Sequence, residues 1–347
     1  MKKAFVCAVL ISFSLLLAAP QAPAAEKMVW KFAALFDDDH ALTKGAAKFK
    51  EEIEKKYGDK VEIKIFTSGK LGNGREALEG IQSETIELAY CSMPWTASFS
   101  DAFGALSLPY IFLNREIAYK VLDGEIGNRM RTRFEQHTGI KFLGFWENGI
   151  RHASNSKRTI KLPEDFKGLK IRVQQDPINL ATFRAMGANP TPMALGEIFT
   201  ALQQGVIDAQ ENPLTNIYQL KFHEVQKYLS TTAHVYDAVG FYISEPLFAK
   251  LDPEFQKDIL AAASAATALQ RKEAIAQDDV YMKKLVDYGK IEITVLTPEQ
   301  LAPFKKAVAP VYKEIEELFA KKDKEWSKIV PELLEVVSKV EAEVLKK

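Results

Sequence analysis

Cysteine is nearly missing from this 347-residue chain, which has two, Cys7 and Cys91. If an N-terminal leader carrying Cys7 is removed, Cys91 alone remains, so no intramolecular disulfide can form and ordinary core burial must hold the fold. Cys91 follows the strand-like Ile86-Glu87-Leu88-Ala89-Tyr90 and reads as a small buried apolar residue. Histidine is scarce too. The five, at positions 40, 137, 152, 223 and 234, include no pair at the four-residue helical spacing of a zinc protease, so no metal site is expected. A glycine-rich phosphate loop and a Gly-x-Ser-x-Gly turn are both lacking, which leaves no cofactor and little basis for an enzyme. Excess charge is lacking as well: 46 Lys+Arg balance 46 Asp+Glu, which argues against a nucleic-acid partner or a polybasic membrane contact. There is no internal repeat and no low-complexity tract.

What the chain does contain begins with an export signature. Lys2 and Lys3 precede an apolar run over residues 4–19, and Ala22-Pro23-Ala24 supplies the small residues a signal peptidase reads. The run falls short of the roughly 20 residues a membrane-spanning helix needs. A cleavable signal peptide over residues 1–24 and a periplasmic, exported protein are therefore expected.

With 47% hydrophobic residues, the remaining chain can fill a large core. Strand and helix patterns alternate, as in α/β proteins. Strands are predicted over residues 29–33, 61–66, 140–146, 152–155, 169–173 and 237–244, with another beginning at Ile86. Helices are predicted over 42–55, 75–82, 115–136, 177–186, 194–204 and, unusually long, 253–288. Asn189-Pro190-Thr191-Pro192 forces extended backbone. In the acidic loop Asp37-Asp38-Asp39 the carboxylates or His40 can meet a hydroxyl or ammonium group; the alternative is that Asp39 or a neighbour caps the next helix. The tail over 325–347 reads as a solvated helix on the outside of one domain.

Two arginines stand out. Arg172 ends the apolar-alternating Leu169-Lys170-Ile171-Arg172-Val173, where a guanidinium needs either an internal carboxylate or a bound anion. Arg151 follows Glu147-Asn148-Gly149-Ile150, where an ion pair with Glu147 is the internal alternative. Polar groups at the carboxyl ends of strands in an open α/β sheet are the usual place for a ligand.

Four segments carry a resemblance in order along the chain. They are Phe145-Trp146-Glu147-Asn148-Gly149-Ile150-Arg151, Leu169-Lys170-Ile171-Arg172-Val173, Gly187-Ala188-Asn189-Pro190-Thr191-Pro192-Met193, and the run from Ala201 that ends in Asp208-Ala209-Gln210-Glu211-Asn212-Pro213. Together with Leu71-Gly72 and Leu108-Pro109-Tyr110, they resemble the DctP-like solute-binding subunits of tripartite ATP-independent periplasmic (TRAP) transporters. The resemblance implies an α/β, two-lobed periplasmic solute-binding-protein fold, each lobe a mixed sheet flanked by helices, with a ligand cleft between lobes and a long hinge-spanning helix. It places lobe I over residues 25–148 plus 237–276 and lobe II over 149–236 plus 277–347.

By the same resemblance, Arg172 clamps a substrate carboxylate, with Arg151 and Asn212 as second contacts. Positions that vary with substrate fall near Asn73, Ser92, Gln175 and Leu195, and His40 joins them from the acidic loop. Relatives that take sialic acid carry an acidic residue near Ser92 and an aromatic near Leu195, which this chain lacks. The expected partners are a small organic acid anion and the membrane permease subunits of the transporter, with a monomer as the oligomeric state. Rival readings are a sensor subunit serving a histidine kinase, or a periplasmic enzyme using Glu147 or Glu211 as acid/base.

Overall fold

The computed structural model describes residues 27–346, so the expected signal peptide and Cys7 lie outside the described residues. Among them run nine strands: β1 (Met28–Ala33), β2 (Val61–Phe66), β3 (Leu88–Ser92), β4 (Ile140–Asn155), β5 (Lys170–Val173), β6 (Asn189–Pro192), β7 (Ala209–Asn212), β8 (Tyr228–Ser244) and β9 (Glu292–Thr294). They form one sheet in the order β2-β1-β3-β8-β4-β7-β5-β6, with β9 beside β8. In the first lobe, β1 pairs in parallel with β2 and β3, and β3 runs antiparallel to β8. In the second, β5 lies parallel to β6 and β7, and β7 runs antiparallel to β4.

The two lobes are halves of a continuous sheet because β4 and β8 pass through both. These strands pair antiparallel from Ile140↔Ser244 to Asn155↔Tyr228. The sequence predicts two separate strands, over 140–146 and 152–155, where β4 runs through. In the structure a register shift between Glu147 and Gly149 absorbs the extra residue as a bulge and the ladder continues. Gly149 has φ 122°, which an L side chain resists, and a Cβ there would sit 3.3 Å from the Pro213 side chain. The expected lobe boundaries fall on Gly149 and Asp237, which are register partners.

The long helix spans Pro253–Tyr288, as the sequence predicts. Asp252 caps it by accepting from the Phe255 amide, Pro253 occupies its first turn, and Gly289 ends it in the left-handed region. Its first half buries Phe255, Ile259, Ala263 and Ala266 against Trp30, Phe49 and Phe241 of the first lobe. Its last turns bury Tyr281 and Leu285 against Ile217 and Phe222 of the second. Where the helix crosses between them it turns polar. The buried Gln270 accepts from the Glu147 amide (3.0 Å) and donates to the Glu147 carbonyl (2.7 Å), satisfying the backbone beside the bulge.

Two expectations need correction. The single helix predicted over 115–136 is two, Arg115–Leu122 and Glu125–Thr138, broken at Asp123-Gly124. The C-terminal helices, expected on lobe II, lie against both lobes. Pro298–Lys322 packs on Pro177–Ala185, while Ile329–Val344 packs on Arg115–Leu122 and is tied to the adjoining helix Glu125–Thr138 by Arg129–Glu332 at 2.7 Å. The reason is the apolar stripe Phe304, Val308, Val311, Ile315, Phe319, which has to be covered along its whole length.

Candidate functional site

The carboxyl ends of six strands converge on two adjoining cavities that share Leu35, Phe36 and Leu195. The inner one, about 20 Å³, is lined by Ser92 at the end of β3, Arg151 on β4, Arg172 and Gln174 from β5, and Asn212 at the end of β7. The outer one, about 420 Å³, is lined by Asp37 after β1, Asn73 after β2, Leu195 after β6, and by Glu76 and Gln219. Loops at this end of an open sheet are free of ladder bonds, so their polar groups can face a ligand.

Arg172 is 1% exposed and has no carboxylate within salt-bridge distance among the described residues. Its Nε and Nη2 both donate to the Met193 carbonyl, at 2.9 and 2.8 Å, which fixes the guanidinium plane. Nη1 is buried without a partner. Burial pulls the guanidinium down to a pKa of about 10, with Glu211 opposing that fall and Arg151 adding to it. A buried cation with an unused donor is stabilised by an anion delivered to it.

Arg151 is equally buried but differently occupied. Its Nε donates to Glu211 Oε2, Nη1 donates to Asp237 Oδ2 at 2.5 Å, and Nη2 donates to the Glu211 carbonyl and, at 2.8 Å, to Glu211 Oε1. Only one N–H of the five is left over. Its ion-pair partners are therefore Glu211 and Asp237; Glu147, the neighbour in sequence, instead accepts from Arg115 Nε and the Tyr119 hydroxyl, each at 2.7 Å. Burial pushes the Glu211 carboxyl up, but the Arg151 charge and the bonds from His234 and Arg151 outweigh it and hold the group at about 2.

A hydrogen-bond chain links the lobes beside these arginines. His40 caps the helix Ala41–Tyr57, its Nδ1 accepting from the Leu42 amide at 3.1 Å, so the cap is His40 and not Asp39. That bond leaves the ring proton on Nε2, which donates to Asn216 Oδ1 at 3.0 Å. Asn216 then donates to Asn212 (3.1 Å), Asn212 to Gln210 (2.6 Å) and Gln210 to Ser154 (2.8 Å). Burial lowers the His40 pKa to about 4, the bond to Asn216 opposing it, which keeps the ring neutral.

The remaining expected positions divide. Ser92 and Leu195 line the cavities, and Asn73 lines the outer one while capping the helix Gly74–Gln82 with a reciprocal bond from Glu76. Gln175 does not line either cavity; it is exposed, and the buried Gln174 before it takes that place. Alternation counted from Arg172 puts Gln174, two residues on, on the same face and Gln175 on the other, and this period was the signal that could have told them apart. Asn148 and Asn216 also line the inner cavity and were missed, Asn216 because nothing in its own helix distinguishes it. Neither Glu147 nor Glu211 lines a cavity; both carboxylates are turned into internal ion pairs.

Comparison with known proteins identifies the family. Residues 32–318 match the family described as bacterial extracellular solute-binding protein, family 7 (DctP). A solute-binding protein of Verminephrobacter eiseniae is 40% identical over 79% of this chain and 80% of its own length. Among solved structures, a TRAP periplasmic solute-binding protein from Sulfurospirillum deleyianum with bound succinate is 32% identical and superposes with TM-score 0.83, over 90% of this chain and 99% of that one. The sugar-acid-binding protein of Advenella mimigardefordensis, in complex with galactonate, is 32% identical with TM-score 0.84, over 91% and 99%. A match over most of the chain and the shared two-lobed fold place this protein in the DctP family of TRAP solute-binding proteins.

Proposed function

We propose that the protein is the periplasmic receptor of a TRAP transporter, which captures an organic acid, closes on it and delivers it to the membrane permease. The single observation that carries this reading is the buried Arg172, which lines a cavity at the carboxyl end of the sheet and has its Nη1 donor unpartnered. A carboxylate there takes the free N–H in a charge-assisted bond, with the spare Arg151 N–H and the Asn212 amide as further donors. Solved relatives in complex with succinate and galactonate support an organic acid as ligand.

The mechanism follows from where the partners sit. Leu35 and Ser92 on the cavity walls belong to lobe I (25–148 plus 237–276), and Arg172, Asn212 and Asn216 to lobe II (149–236 plus 277–347); His40 lines neither cavity and only bridges to Asn216. A ligand touching both walls binds the closed arrangement more tightly and draws the population toward it. The export signal over residues 1–24 delivers the chain to the periplasm, where it acts as a monomer.

Calorimetric titration of Arg172→Ala tests the assignment. Loss of the clamp removes one partner of a desolvated ion pair, about 3–5 kcal/mol, or roughly two to four decades of affinity. Unaltered affinity for the acid that the wild type binds overturns it.

A further inference from the structure

The donors and acceptors facing the two cavities narrow the chemistry of the ligand beyond its carboxylate, an inference that rests on the receptor reading. Positive charge is in short supply. Arg151 is matched by Glu211 and Asp237, so around the inner cavity two guanidiniums, Arg151 and Arg172, face two carboxylates. No other lysine, arginine or histidine lines either cavity among the described residues. One ligand carboxylate has Arg172 to pair with; a second has nothing.

Acceptors, by contrast, are in surplus. Asn148 Oδ1 and Gln174 Oε1 at the inner cavity and Gln219 Oε1 at the outer one are all buried without a partner. The Asn148 amide is held this way round, because its Nδ2 donates to Asp237 Oδ2 at 2.9 Å, whereas Gln174 and Gln219 can turn either end of the amide to a hydroxyl, which both donates and accepts. The carboxylates of Asp37 and Glu76 line the outer cavity, and burial together with Asp39 and Asp38 raises the Asp37 pKa. These acceptors are spread from the arginine outward, and an ammonium group satisfies only one place among them. A series of hydroxyls satisfies several, while Leu35, Phe36 and Leu195 cover the carbon chain.

We propose that the ligand is a monocarboxylic polyhydroxy acid of the aldonate type. A chain of about four to six carbons suits a cavity of this size. Its carboxylate pairs with Arg172, and its hydroxyls donate to Asn148, Gln174, Gln219 and Asp37. A terminal carboxylate in place of the last CH₂OH meets Asp37 and Glu76 with no cation between them, and this sets the discrimination.

Calorimetry on the full mature chain with matched pairs tests this: gluconate against glucarate, galactonate against galactarate, threonate against tartrate. Succinate and 5-aminovalerate serve as the unhydroxylated and the ammonium-bearing controls. At least one aldonate is expected to bind tenfold or more tighter than its matched diacid and than both controls. Asp37→Asn is expected to narrow that gap severalfold by admitting the diacid. A diacid, succinate or 5-aminovalerate binding as tightly as every aldonate, and still lost in Arg172→Ala, overturns the neutral polyol tail while leaving the receptor reading in place. Binding of all these acids that survives Arg172→Ala overturns both, and a gap untouched by Asp37→Asn overturns the part given to that carboxylate.

Discussion

Arg172 and Arg151 line the same inner cavity from β5 and β4, two strands apart in the sheet, and each is 1% exposed. Around Arg151 the protein supplies two carboxylates and a carbonyl; around Arg172 it supplies one carbonyl and leaves Nη1 open. The desolvation of Arg151 is offset within the folded chain, so its energetic weight falls on stability. That of Arg172 is left for something else to offset, and on the proposed reading its weight falls on binding. Burial alone does not separate a structural arginine from a functional one; what separates them is the count of satisfied donors.

The comparison can be broken in the free protein by thermal or denaturant unfolding. Arg151→Ala strands Glu211 and Asp237 in the interior and should destabilise the fold by about 3–5 kcal/mol. Gln270 belongs with Arg151, since both ends of its amide are used on the Glu147 backbone. Gln270→Leu should cost about 2–3 kcal/mol, because two buried backbone groups lose their partner. In the same measurement Arg172→Ala should move stability by no more than about 1 kcal/mol, since no internal carboxylate is orphaned. A fall comparable to that of Arg151→Ala would erase the distinction.

The smallest effect concerns pH. Burial depresses the pKa of His40 to about 4 and of His152 to about 3, each from 6.5. Because the folded state resists the proton that the unfolded chain accepts, their contribution is complete above pH 6.5 and is lost as pH falls toward 4 and 3. Asp176, raised by burial to about 6 from 3.8, acts the other way: its contribution is complete below 3.8 and is lost as pH rises through 6. His40→Asn should therefore flatten the stability profile between pH 6.5 and 4, by about 1–2 kcal/mol at pH 5. A profile identical to that of the wild type would show that His40 is not held neutral.

Much of this architecture was legible because local pattern and tertiary role coincide. The long helix carries its own cap, its N-terminal proline and its terminal glycine, and in β2 burial follows the alternation from Val61 to Lys64. Where burial is two-sided the pattern fails. The first half of β8 holds Ser230, Thr231, Thr232 and His234, all buried polar residues with no alternation to read, and only residues 237–244 of that strand were predicted. The arginine of β5 could be singled out from its apolar surroundings, but the occupancy of Arg151 could not. Glu211 and Asp237 lie 60 and 86 residues away in sequence, and only the antiparallel crossing of β4 with β7 and β8 brings them to it.

Because β4 and β8 run as an unbroken ribbon through both halves of the molecule, the lobes are not beads on a string free to swivel about a linker. Any rotation of one against the other has to pass as torsion through this ladder, whose weave is loosest at its register shifts, beside Gly149 and between Arg151↔Val235 and Ala153↔Ser230. Such a joint resists free swivelling and favours bending about one axis.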